Sequence, residues 1–215
     1  DVESYLNQLG GRLSAYSLEP GYGFYFFALN DPSINAFAMP GGFIGVHTGL
    51  IMAAQGESEL AGVLAHEISH VTQRHLARQL FQSKRIGMAS MLAIGLALLA
   101  ASSNPQAAGA AIATSQAGAM SSQLAFSRDF ERESDRIGFD MLGKAGFDPR
   151  GMAIFFERLQ QATRLYENNA TAYLQTHPLT TERIGDMQNR QQLLPYRQVA
   201  DSLDFLLVRA RLRAM

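Results

Sequence analysis

Apolar residues recur along this chain in two rhythms. In the run 57–80 they fall at three- and four-residue steps (Leu60, Val63, Leu64, Ile68, Val71), the spacing of one helix with a single buried face. Glu57 and Glu59 stand in its first turn, where negative charge suits the helix dipole. Residues 2–15 repeat the pattern through Val2, Tyr5, Leu6, Leu9 and Leu13; Gly10 and Gly11 weaken that helix and Gly21 and Gly23 stop it. A second rhythm starts at residues 24–29, a short aromatic run bounded by turn residues and read as a buried strand. Asn30 to Ser33 form a turn. Residues 35–47 read as two short strands joined at Pro40-Gly41-Gly42, followed by a helix for which Thr48 is the candidate N-cap. Gly45 leaves room beside a backbone, so the edge 36–46 suits either a plain hairpin or the addition of an extended peptide. His47 falls on a strand and reads as structural. These elements describe an α+β fold, mainly α.

The segment 84–123 is different. Residues 86–101 are apolar on all sides, but 16 residues fall short of the roughly 20 that span a bilayer. After Ser102 to Pro105 a second run, 106–120, is rich in Ala and Gly. The two runs read as a helical hairpin of small residues. It suits burial in a core or an oligomer interface, and equally a flap that touches a membrane or an apolar partner.

From residue 126 to 145 the chain returns to a charged amphipathic helix with Ser127 as candidate N-cap. The next helix covers about 150–166, with a loop at 168–170. Pro178 forces His177 extended, and Thr180 or Thr181 caps a helix that carries Arg183. Residues 201–215 are helix-like. The expected layout is a domain over 1–200 with 84–123 as an insertion, then the C-terminal helix 201–215.

Composition narrows the chemistry. The net charge is −1 and charged residues make up 17% of the chain, which does not suit a nucleic-acid binder. With no Cys, disulfides are excluded and any zinc must be held by His, Asp or Glu. The chain begins at Asp1, which fits either removal of a signal peptide or trimming.

Against that background His66-Glu67-Ile68-Ser69-His70 is the stretch that carries chemistry. On a helix, residues four apart project from one face, so His66 and His70 can reach one zinc ion. Glu67 lies beside them, placed to take a proton from a water; this pentapeptide is a recognised metalloprotease signature. Two surface histidines on an ordinary helix remain the alternative. His75 is nine residues beyond His66 and faces the other way. Downstream, Glu131 and Asp135 share a helix face, whereas Glu133 points elsewhere. Glu131 could complete a two-His, one-Glu site, and Asp135 could fix the tautomer of a ligand His. A solvated charged face is the other reading.

Four ordered motifs carry a resemblance: Asn35-Ala-Phe-Ala-Met-Pro-Gly-Gly with Val46-His-Thr-Gly-Leu, His66-Glu-Ile-Ser-His70, Glu131 with Asp135, and Thr176-His-Pro-Leu-Thr-Thr-Glu-Arg-Ile184. Over about 31–184 the chain resembles the zinc metallopeptidases that include the CAAX prenyl protease and HtpX, most nearly their periplasmic branch. The resemblance implies a zincin-like (gluzincin) domain with one zinc on His66, His70 and Glu131, and Glu67 as general base. It implies Asp135 as helper to a ligand His, and His177 either as a fourth ligand in a self-inhibited state or as an oxyanion donor. Arg183 would lie near the cleft and act with it. It also implies a periplasmic, soluble or surface-associated endopeptidase, and a chain that is one part of a longer protein. Its substrates would be unfolded, misfolded or misassembled envelope proteins, its partner the outer-membrane assembly machinery, with membrane-surface contact through 86–120. A chaperone or assembly factor with latent proteolysis is the alternative.

Overall fold

The structure is a computed structural model that describes residues 1–101, 105–164, 171–194 and 198–214, and their side chains except at 100, 126, 162–164 and 171. Residues 102–104 between the two apolar runs, the loop at 168–170, the helix end at 165–166 and Met215 lie outside the described residues. The chain forms two compact units, residues 1–73 with 131–215, and residues 74–130.

The first unit is mainly helical around a three-stranded sheet. Helix α1 (Val2–Ser14) precedes strands β1 (Tyr25–Leu29), β2 (Ala36–Met39) and β3 (Phe43–His47). The strand order is β1-β3-β2, with β1 parallel and β2 antiparallel to β3. Gly41 and Gly42, at φ 92° and 85°, make the tight turn between β2 and β3, a backbone region that L side chains rarely enter. Two expectations change here. β3 is the central strand, so within 36–46 β2 is an edge strand and β3 is not. The room beside Gly45 is filled by Phe37 and Phe27, whose rings would meet an added Cβ at 2.6 and 3.0 Å. A short helix α2 (Thr48–Ala53) follows; His47 rather than Thr48 stands at its N-cap position, without a side-chain cap. The Thr48 hydroxyl instead donates to the Asp31 carbonyl at 3.0 Å and accepts from the Asp31 N–H, closing the turn ahead of β2.

Helix α3 (Glu57–Thr72) runs through the middle and is buried on nearly every side. Its start is held by two buried acids. Glu57 accepts from the Tyr5 hydroxyl (3.0 Å) and from the backbone N–H and hydroxyl of Ser202 (3.0 and 2.7 Å). Glu59 takes a two-pronged contact from Arg158 at 2.6 and 2.7 Å. The first-turn carboxylates therefore do more than answer the helix dipole: they tie α3 to α1, to α6 (Arg150–Arg164) and to the segment before α9 (Leu203–Ala214). Phe205 and Val208 of α9 join the same core as Leu60, Val63, Leu64 and Ile68.

The expected single helix over 57–80 ends at Thr72. Arg74 takes a left-handed conformation, φ 55° and ψ 36°, and α4 (His75–Ala100) begins after it. No Gly or Pro marks this break in the sequence. A second difference is the reverse. Ser127 caps nothing, because α5 (Pro105–Lys144) runs unbroken for 40 residues. Nothing between Met120 and Arg128 interrupts a helix, so the hairpin arm and the Glu131 helix are one element. After α6 come α7 (Thr171–Thr176) and α8 (Thr181–Gln192). Thr180 caps α8, accepting from the Arg183 N–H at 3.3 Å.

The second unit is a helical hairpin of α4 and the first part of α5. Ser90 and Ser115 hydroxyls meet at 3.1 Å, and at the hairpin base His75 stacks on Phe130 with ring centroids 4.5 Å apart. His75 thus packs in the second unit, apart from the His66–His70 face. No described helix is long and apolar enough to cross a membrane.

Candidate metal centre

Three elements of the first unit converge on one point. α3 presents His66 and His70 one turn apart, with their Nε2 atoms 2.9 Å from each other. α5 brings Glu131, whose carboxylate oxygens lie 3.3 Å from His66 Nε2 and 3.3 Å from His70 Nε2. His177, just past α7, places Nδ1 3.3 Å from His66 Nε2 and 3.2 Å from Glu131. Among the described residues, His66, His70, Glu131 and His177 form a group whose ligand atoms all lie within 4.8 Å of one another. The spacing suits zinc: two donors about 2.0–2.1 Å from a tetrahedral ion stand about 3.3 Å apart. Three imidazoles and a carboxylate are also an ordinary zinc donor set.

Packing makes the convergence possible. A Cβ on Gly138 would lie 3.1 Å from the backbone of Ala65 and His66. That close approach sets α5 against α3 and delivers Glu131 and Asp135 to the ligand face. Similarly, a Cβ on Gly151 would come within 2.7 Å of Ser58, which lets α6 pack closely on α3.

The surrounding charges fix the ligands. Asp135 Oδ1 is 3.0 Å from His66 Nδ1. When a metal takes Nε2, a proton on Nδ1 facing that carboxylate fixes the tautomer. Arg183 is buried and grips Asp135 through Nε and Nη2 at 2.6 and 2.7 Å. Its Nη1 reaches Glu131 at 3.0 Å and donates to the Pro178 carbonyl at 2.8 Å.

Burial works to lower the His66 pKa, but Asp135 and Glu131 outweigh it and hold the imidazole up at about 9. At His70 burial wins, and the ring is pushed down to about 3. For Glu131 burial pulls upward, and contacts from His177 and His66 outweigh it, so the carboxylate stays ionised well below its usual range. Asp135 is likewise lowered: Arg183 overcomes the penalty of burial. The group is therefore anionic at its carboxylates and ready for a cation.

Glu67 differs from its neighbours. It is buried, and neither carboxylate oxygen has a well-formed hydrogen bond among the described residues. His177 Nε2 is 3.4 Å away. Burial raises its pKa, while His177, His66 and the Ala38 backbone draw it back. An unspent carboxylate against a metal group is what a general base requires.

Sequence reasoning reached every residue of the cluster and missed its aromatic wall. Tyr173 stacks on His177 with centroids 4.7 Å apart and planes at 24°. Phe156 meets the His66 ring edge-on at 6.2 Å and carries the Arg183 guanidinium over its face at 5.2 Å. The four-residue step from Tyr173 to His177 was a visible signal. Nothing in the sequence pointed to Phe156.

A mainly helical domain with a small sheet, and a His-Glu-x-x-His helix joined by a distant glutamate, defines a metallopeptidase of the zincin-like class. The chain belongs to peptidase family M48, whose family model matches residues 2–191. Members of that family are zinc-dependent, and the four-residue group here is positioned to hold one ion. A Vibrio cholerae relative described as a beta-barrel assembly-enhancing protease is 43% identical over 213 residues, covering 99% of this chain and 44% of the relative. The Escherichia coli K12 beta-barrel assembly-enhancing protease is 39% identical over 214 residues, covering 100% and 44%. The mitochondrial metalloendopeptidase OMA1 of Schizosaccharomyces pombe is 30% identical over 195 residues, covering 91% and 54%. The chain thus spans less than half the length of these two beta-barrel assembly-enhancing proteases.

Proposed function

We propose that this chain is a zinc endopeptidase acting on unfolded or misassembled envelope proteins in the periplasm, alongside the outer-membrane assembly machinery. The observation that carries the reading is the unspent Glu67 carboxylate set against a buried three-His, one-Glu group. His66, His70 and Glu131 would hold the zinc. When bound, zinc supplies Lewis acidity, which makes a water more acidic and a carbonyl more electrophilic. Glu67 accepts the proton of the attacking water and returns it to the leaving amine. Asp135 holds His66 in the correct tautomer. Arg183 acts as a positioning residue: its donors are spent on Asp135, Glu131 and Pro178, which favours that role over direct contact with an oxyanion.

The substrate would lie extended along the free edge of β2, whose Ala38 backbone neighbours Glu67, using the strand-addition mode. Four protein ligands close a zinc site, whereas catalytic sites keep one position open. His177 therefore serves as a plug in the resting state, and the enzyme is self-inhibited until that imidazole withdraws. The names of the bacterial relatives support the setting in outer-membrane protein assembly. The hairpin 86–120, apolar and uncharged, would contact a membrane surface.

Glu67→Gln tests the base: zinc content should stay at one per chain while peptide cleavage is lost. Full zinc with undiminished cleavage would refute the assignment. An assembly factor with latent proteolysis is the second reading, favoured by His177 in the cluster. Cleavage of an unfolded protein by His177→Ala separates the two: strong activation supports a gated protease, and no cleavage by either form supports a binding role.

A further inference from the structure

Hydrolysis at this centre needs a hydrogen-bond donor for the carbonyl oxygen as it gains charge. The expected donors are engaged. Arg183 is tied to Asp135, Glu131 and Pro178. His177 faces Glu131 with Nδ1 and Glu67 with Nε2. One buried donor beside them is not engaged. The Tyr173 hydroxyl has no hydrogen-bond partner among the described residues, and the side chain is 1% exposed.

Its placement ties three parts of the site together. The Tyr173 ring lies nearly parallel to the His177 imidazole. The His177 N–H donates to the Tyr173 carbonyl at 2.8 Å, so the two side chains sit one helical turn apart. The Tyr173 N–H donates to the Ile34 carbonyl at 3.2 Å, anchoring α7 to the segment that enters β2, the strand proposed to hold substrate. A tyrosine hydroxyl carries its proton at neutral pH and is a ready donor.

We propose that Tyr173 is a catalytic residue of this centre: its hydroxyl donates to the scissile carbonyl oxygen as that oxygen becomes anionic. The proposal rests on the peptidase reading above. A core tyrosine with no such role makes the opposite prediction, because removing a buried, unpartnered hydroxyl relieves a penalty.

Tyr173→Phe separates the two, since it keeps the stacked ring and deletes only the hydroxyl. In the zinc-loaded chain, kcat on an unfolded-protein substrate should fall roughly 10²-fold, the usual effect of losing one oxyanion donor, with KM little changed. Tm should stay level or rise, and zinc content should hold. Independently of turnover, calorimetry should show a phosphinic peptide, which mimics the tetrahedral anion, binding more weakly by a similar factor, while a product peptide binds as before. Parent-like kcat and parent-like phosphinate affinity would overturn the proposal. Glu67→Gln in the same assay keeps the two claims apart: if that variant still cleaves, the peptidase reading has failed, whereas a dead Glu67→Gln beside a fully active Tyr173→Phe sinks Tyr173 alone.

Discussion

Around α3 the interior is polar. His66, Glu67, Glu131, Asp135 and Arg183 are all buried within one core. Along the hairpin of α4 and α5 the exterior is apolar: Leu99 is 79% exposed, Met91 76% and Leu92 71%. The two regions reverse the usual arrangement in opposite directions, and the reason lies in what each packs with. In the first unit, charges that would be costly alone are matched in a closed chain, Arg183 to Asp135 to His66 to Glu131, and the remaining partner is a cation. In the hairpin, Ser90 and Ser115 meet across the two helices, and the buried side chains along the arms are the small ones of Ala97 and Ala108. Small side chains bury little area, and the large ones point outward. One region gathers donors for a cation; the other presents a surface of the kind that marks a binding site.

The largest effect that would sharpen this contrast is at Glu131. Glu131→Ala should abolish stoichiometric zinc, read by metal analysis. It should also erase the zinc-dependent rise in stability, about 4 kcal/mol for a ligand at a thousandfold excess over Kd. If zinc binding survived, the polar core would be complete without a cation and the contrast would fail. Next comes Asp135→Asn, which leaves Arg183 poorly matched and frees the His66 ring. Zinc affinity measured by competition should drop about 10–100-fold; an unchanged affinity would mean that the buried charge chain does not orient the ligand.

Gly138→Leu probes the same core through packing. The added side chain must push α5 from the backbone of α3, at a cost of about 1–3 kcal/mol in denaturant unfolding, with weaker zinc binding. Loss of stability alone would separate packing from ligand placement. The smallest effect belongs to the hairpin. Replacing Leu92, Leu96 and Leu99 by Ser should leave stability within about 0.5 kcal/mol per site, and peptide cleavage unaltered. Flotation with vesicles of anionic lipid should fall. A marked drop in Tm would show that these faces are covered, and the comparison would break.

The His66–His70 pair, Glu67 beside it and the acidic helix were legible as neighbours because a helix turns a four-residue step into a shared face. The pentapeptide and the Glu131–Asp135 step each needed only local geometry. The strand pair at 36–47 was legible through Pro40-Gly41-Gly42. The break at Arg74 was not, because a non-Gly residue in a left-handed conformation leaves no compositional mark. Nor was the continuity of α5: a serine able to cap suggested an end where no breaker was present. The peptide edge was drawn too wide, because strand order depends on which strands pair, and β1 occupies the far side of β3 by a parallel crossover.

Sequence alone determined which atoms could bind a cation and which carboxylate could serve as base, since donor chemistry and helical period are properties of neighbours in the chain. Tertiary packing decided that Glu131 and His177, 65 and 111 residues from His66, reach it at all, and that Arg183 holds carboxylates rather than facing the cleft. It also left the Tyr173 hydroxyl without a partner among the described residues. Those outcomes depend on how closely α5 and α7 approach α3, a distance set by glycines and aromatic rings that no local pattern encodes.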